Sequence, residues 1–196
     1  QTLLSSLEVS GTGDLYLPAD DSYLTIGREK RLVAEILPIA RMQGVIAVRR
    51  ENPPSIEALG DVSRPDLQFV QANPDATAIG KLTRDVLSQT QQWDPLAKAT
   101  VSFKGTVNEV ANDVKVGAAD AGIVFDAVLH TYPELTAVQV PELEGVSANI
   151  AIGVLASTSQ PPRALHFARY LSAADKGLTR YAEFGFSPVA GDPWAD

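Results

Sequence analysis

Hydrophobic and polar positions along this chain switch repeatedly between helical and strand spacing. The switching predicts alternating helices and strands from end to end. Leu3, Leu4 and Leu7 share one helical face, and the helix they predict stops by Gly11 and Gly13, because glycine ends helices readily. Residues 14–18 (DLYLP) read as a short strand. Ala19-Asp20-Asp21-Ser22 then starts a helix carrying Tyr23, Leu24 and Ile26. Gly27 and the charged residues 28–31 bring the chain to the surface. Residues 45–48 (VIAV) form a buried-type strand, closed by Arg49-Arg50-Glu51-Asn52-Pro53-Pro54. The two prolines exclude further helix or central strand there, so the segment reads as a passage between two lobes.

Beyond it, residues 55–59 predict a short helix and 67–72 a strand. A turn at Asn73-Pro74-Asp75 leads to a helix over 77–89. Residues 99–103 predict a strand, and 106–116 a helix with Val107, Val110 and Val114 inward. Residues 121–125 (AGIVF) predict a fully buried strand and 135–140 another. Residues 149–155 look like a return strand. Pro161 and Pro162 suit a helix start, and a last helix over 175–183 ends at Gly185. The order implies an α/β fold with largely parallel sheets. Two crossings divide it into lobe 1, residues 1–47 and 155–196, and lobe 2, residues 48–154. Such a clamp hinges about its crossing strands and binds in its cleft.

Composition narrows the function. The chain has 196 residues, 45% of them hydrophobic and 20% charged, which is ordinary for a globular protein. A net charge of −8 argues against a nucleic-acid surface, which needs a basic stripe. It also means that a bound anion must be held by local dipoles against the overall field. The absence of cysteine excludes disulfides, thiolate metal sites and a cysteine nucleophile. No apolar run approaches the ~18 residues of a membrane span. No signal peptide is visible within the chain. Because it opens directly in a helical pattern, we expect residues upstream of Gln1.

Four stretches carry a family resemblance. Residues 14–20 (DLYLPAD), 72–80 (ANPDATAIG), 108–124 with its GAADAGIV ending, and 184–188 (FGFSP) resemble, in this order, motifs of the molybdate- and tungstate-binding proteins of ABC importers. The resemblance implies a two-lobed type II periplasmic-binding fold that is N-terminally incomplete, lacking the family's opening strand–helix–strand. That piece carries two hydroxyl-bearing loops of the family's anion site. The resemblance further implies an extracytoplasmic or periplasmic protein, its signal peptide outside this chain. It would capture molybdate or tungstate for the membrane permease of an ABC importer, with no cofactor and no direct cation ligand.

An oxyanion needs several hydrogen-bond donors and no ionised carboxylate nearby. Helix N-termini supply them, because their first N–H groups lack partners within the helix. One candidate start follows Pro74-Asp75: main-chain N–H groups of Ala78, Ile79 and Gly80, with the Thr77 hydroxyl. The second begins at Thr106, where Thr106-Val107-Asn108-Glu109 has capping-box spacing. The resemblance places a main-chain donor at Val107. At the end of AGIVF, relatives often place a tyrosine whose hydroxyl donates to the anion. This chain has Phe125 followed by Asp126. Asp126 is expected to cap the next helix, or else to turn away from the ligand or accept a proton from a protonated one. Arg49, Arg50 and Lys81 read first as solvated surface charge.

The two histidines, His130 and His166, lie far apart, and no hydrolase, metalloprotease or Walker motif is present. The sequence therefore predicts a binding protein with no catalytic residue. Two alternatives stand: the ligand-sensing domain of a regulator, and a truncated paralogue that self-associates to cover an incomplete sheet.

Overall fold

A computed structural model describes residues 2–194. The chain divides into two compact units, residues 1–41 with 148–196, and residues 42–147. The divisions fall earlier than the positions 48 and 155 expected from sequence: the first lies inside the 17-residue strand over residues 33–49, and the second at the first residue of the strand over residues 147–155.

In the first unit, α1 (Thr2–Ser10) leads to β1 (Leu15–Tyr16), and α2 (Ser22–Glu29) to the first part of β2 (Val33–Arg49). The chain returns on β7 (Ser147–Leu155) and closes with α6 (Pro161–Leu171), α7 (Gly177–Glu183) and β8 (Ser187–Pro188). The strands are ordered β1-β7-β2, and β8 also pairs with β2. β1 and β7 are antiparallel, with Tyr16 opposite Gly153. Leu4, Tyr16, Leu24, Val33, Ala151 and Leu155 form the core, and Leu7, Tyr23, Leu32 and Ile36 pack against it.

In the second unit, a short 3-10 helix (Leu59–Ser63) precedes β3 (Phe69–Ala72). Next come α3 (Ala78–Gln89), α4 (Trp93–Ala99), β4 (Thr100–Lys104), α5 (Val107–Val116) and β5 (Ala121–Phe125). A 3-10 helix (Asp126–Thr131), β6 (Leu135–Val138) and a final 3-10 turn (Pro141–Leu143) complete it. The strand order is β6-β2-β5-β3-β4. β3 is parallel to β4 and β5, while β2 is antiparallel to β5 and β6. The sheet is thus mixed, and the expectation of largely parallel pairing holds only for its β5-β3-β4 part. β3 and β5 are buried at every position, as strands covered on both faces must be. α5 packs closely: a Cβ on Gly122 would lie 2.5 Å from the Val110 side chain.

Three elements differ from the sequence reading. β2 runs for 17 residues, far beyond VIAV. Pro38 and the charged Glu35 and Arg41 mask it, and its burial follows no period of two because it serves both units in turn. The helix expected over 55–59 is replaced by the 3-10 helix starting at Leu59. There the Asp61 carboxylate accepts the amides of Glu57 and Ala58 at 2.8 and 3.0 Å, which fixes a turn instead. α4 was not foreseen, because Pro95 hides a helix that it tolerates in the first turn.

Candidate functional site

Three parallel strands of the second unit hand over to helices at one edge of their sheet. β3 leads into α3, β4 into α5 and β5 into the 3-10 helix at Asp126. The chain moves outward from β3 to β4 and then back past β3 to β5. Right-handed crossovers therefore place α3 and α5 on opposite faces. Ligands bind at carboxyl edges of this kind, where the winding reverses.

α3 starts at Thr77, whose extended backbone (φ −127°, ψ 148°) is that of an N-cap. The Thr77 hydroxyl accepts the Gly80 N–H at 3.1 Å and donates to the Asn73 carbonyl at 2.9 Å. The Asn73 amide donates to the Lys104 carbonyl at 2.8 Å, which ties this loop to the end of β4. A Cβ on Gly80 would lie 2.4 Å from the Ala72 carbonyl oxygen, so only glycine lets the helix sit this close to its strand. The Thr77 hydroxyl and Gly80 amide, both expected to face an anion, are thereby committed to each other. The amides of Ala78 and Ile79 have no partner among the described residues. Asp75, the loop's own carboxylate, is held by Arg84 at 2.7 Å.

α5 starts at Thr106 with a complete capping box. The Glu109 amide donates to the Thr106 hydroxyl at 3.2 Å, and the Thr106 amide donates to Glu109 Oε2 at 3.0 Å. The box leaves the amides of Val107 and Asn108 without a partner among the described residues. Asn108 was missed by the sequence reading, although the N2 position of any capping box is left open in the same way. The Thr106 hydroxyl keeps its own proton available to donate.

Asp126 follows buried Phe125. Its Oδ1 accepts the Gln43 amide at 3.0 Å and the Ala127 amide at 2.8 Å. Asp126 is the first residue of the 3-10 helix and not its cap, which is Phe125; its carboxylate instead ties the next amide to the start of β2 in this unit. An open depression of about 400 Å³ lies beyond it on the same edge, lined by Gln43, Gln139 and Glu144 among others. None of the seven expected site residues lines it.

The three basic side chains have defined tasks. Arg49 binds the carbonyls of Val114 and Ala119 and the Asp120 carboxylate. Arg50 binds the carbonyls of Pro133 and Leu135. Lys81 pairs with Asp85 at 2.5 Å. His130 lies in the 3-10 helix after β5, and His166 stacks edge-on against Trp194 in the first unit. Among the described residues, no three histidine or acidic side chains gather as a metal site, and no helix is long and apolar enough to cross a membrane.

The family of bacterial extracellular solute-binding proteins matches residues 1–187, and the chain belongs to it. The molybdate-binding protein ModA of Mycobacterium bovis is 31% identical over 174 residues, 88% of this chain and 65% of that protein. The chain therefore spans just under two thirds of the length of its mycobacterial relatives. Its fold is shared with a substrate-binding domain assigned to a molybdenum ABC transporter of Clostridium difficile (TM-score 0.77, 20% identity, 96% of this chain and 82% of that one). It is shared also with the periplasmic molybdate-binding protein of Azotobacter vinelandii (TM-score 0.71, 15% identity, 96% and 84%).

Proposed function

We propose that this chain is the major part of an extracytoplasmic binding protein that captures a tetrahedral oxyanion, of the molybdate and tungstate class, for an ABC importer. It does so without catalysis and without a cofactor. The observation that carries the reading is the pair of open helix starts. Ala78 and Ile79 on α3, and Val107 and Asn108 on α5, present four unpartnered amides at one sheet edge. Each start carries roughly half a positive charge from its helix dipole. That suits an anion in a chain whose net charge of −8 would otherwise repel it. The name borne by the mycobacterial relatives supports molybdate as the first ligand to test.

The chemistry follows from desolvation. An oxyanion leaving water needs its lost hydrogen bonds replaced, and fixed amides do so without reorganising. No arginine or lysine side chain is needed, and Arg49, Arg50 and Lys81 have partners within the fold. Thr77, Gly80 and Asp126 act behind the donors, holding the α3 loop and the end of β5. Thr106 caps α5 and has one hydroxyl proton to offer.

Isothermal titration of the longest natural form of the protein with molybdate, tungstate, sulfate and phosphate tests the proposal. One-to-one binding of molybdate or tungstate is expected. Absence of heat with all four anions, at concentrations up to millimolar, would overturn it.

A further inference from the structure

α5 carries two of the four open amides at its start, and its other end is gripped by a single side chain from a different strand. Arg49, the last residue of β2, donates from Nη1 to the carbonyls of Val114 at 3.0 Å and Ala119 at 2.8 Å. Its Nη2 reaches Asp120 Oδ1 at 3.2 Å. The other oxygen, Asp120 Oδ2, accepts the Gln68 amide at 2.9 Å, just before β3. Gly117, in the left-handed region at φ +79°, turns the chain under this guanidinium, and a Cβ there would stand 3.5 Å from Nη1. One side chain thus joins the end of β2, the carboxyl end of α5, the turn into β5 and the approach to β3.

We infer that Arg49 is a positioning residue for anion capture, fixing α5 by its carboxyl end so that the Val107 and Asn108 amides stand ready. The inference rests on the proposed site. Carbonyls at a helix end have no partners within the helix, and a cation there also complements the dipole. A planar guanidinium meets two carbonyls and a carboxylate at once, which an ammonium on a flexible stem does not do. Lys115 on the same last turn offers the contrast. It pairs with Glu134 at 2.8 Å and touches neither carbonyl, so it supplies charge at the helix end without the clamp.

The test compares Arg49→Met, Arg49→Lys and Lys115→Met in the full chain. Molybdate affinity is measured by titration, and amide hydrogen exchange of residues 107–116 and 78–89 is measured without anion. Arg49→Met is expected to weaken molybdate binding roughly tenfold, the scale seen when supporting contacts behind a ligating group are lost. It is expected to speed exchange in α5 while α3 keeps its protection. Arg49→Lys should recover less than half of the lost binding energy, and Lys115→Met should change affinity less than twofold. Native affinity in Arg49→Met, or loosening that spreads equally to α3, would overturn the inference. If Arg49→Met does not fold, Arg49→Lys against Lys115→Met decides. If the native protein binds no probe anion, the proposed function fails, and the exchange measurement alone decides whether Arg49 fixes α5.

Discussion

The Asp126 carboxylate and the Gln43 main chain meet at the end of β5, where Oδ1 accepts the Gln43 amide at 3.0 Å. The same oxygen accepts the Ala127 amide at 2.8 Å. A carboxylate satisfied by two main-chain donors ties its loop into the fold, and it follows Phe125 at the end of β5. Asp126→Asn keeps an acceptor at Oδ1, so we expect stability to change little and molybdate affinity to hold or rise as a negative charge leaves the edge. Asp126→Ala leaves both amides unserved and should lower stability by about 1–3 kcal/mol. Urea unfolding and titration of the two variants check this. A large affinity loss in Asp126→Asn would show that the charge itself contacts the ligand.

Gly80 gives a steric prediction. A side chain there would enter the Ala72 carbonyl at 2.4 Å, and main chain cannot yield as a flexible side chain does. Gly80→Ala should destabilise the protein by at least about 1–3 kcal/mol. It should also reduce molybdate binding, because α3 must lift from β3. Native affinity in a folded Gly80→Ala protein would show that the α3 amides take no part.

The capping box of α5 separates stability from binding. Thr106→Ala should cost about 1 kcal/mol, read as a lower urea midpoint. Glu109→Gln keeps an acceptor for the Thr106 amide and removes a negative charge from the helix start. It should lower stability less than Thr106→Ala does and leave anion affinity equal or higher. A marked loss of affinity in Glu109→Gln would be incompatible with an anion seated at Val107 and Asn108.

Asp21 provides a pH-dependent test in the first unit. Burial chiefly, and the neighbouring Asp20 charge, raise its carboxyl above the usual value, although Asn149 hydrogen-bonds to it. A carboxyl whose pKa is higher in the folded state ionises more readily in the unfolded one. Its ionisation therefore favours unfolding. The penalty is present above the folded pKa and disappears as pH falls below the unfolded value. Asp21→Asn should melt higher than the native protein at pH 7, and the gap should close in acid, below about pH 4. A gap independent of pH would mean that the asparagine acts through packing instead.

Much of this fold shows in local pattern. AGIVF is buried at all five positions, and Thr106 with Glu109 forms the box that their spacing implies. The 17-residue β2 does not show, because a strand that serves two cores in succession has no single alternation to read. α4 is likewise hidden by Pro95, harmless in a first turn but indistinguishable from a breaker in the bare sequence. At the site, helix starts are legible and hydrogen-bond commitments are not. Thr77 and Gly80 read as donors to a ligand, yet their atoms bond to each other once the loop closes. Arg49 reads as surface charge until α5 is seen to end beneath it.

The most direct measurement follows the individual amides of Ala78, Ile79, Val107 and Asn108 by proton–nitrogen NMR while molybdate is added to the longest natural form of the protein. All four signals are expected to move together, saturating at one anion per chain. Binding seen by titration with these four amides unmoved would contradict the site.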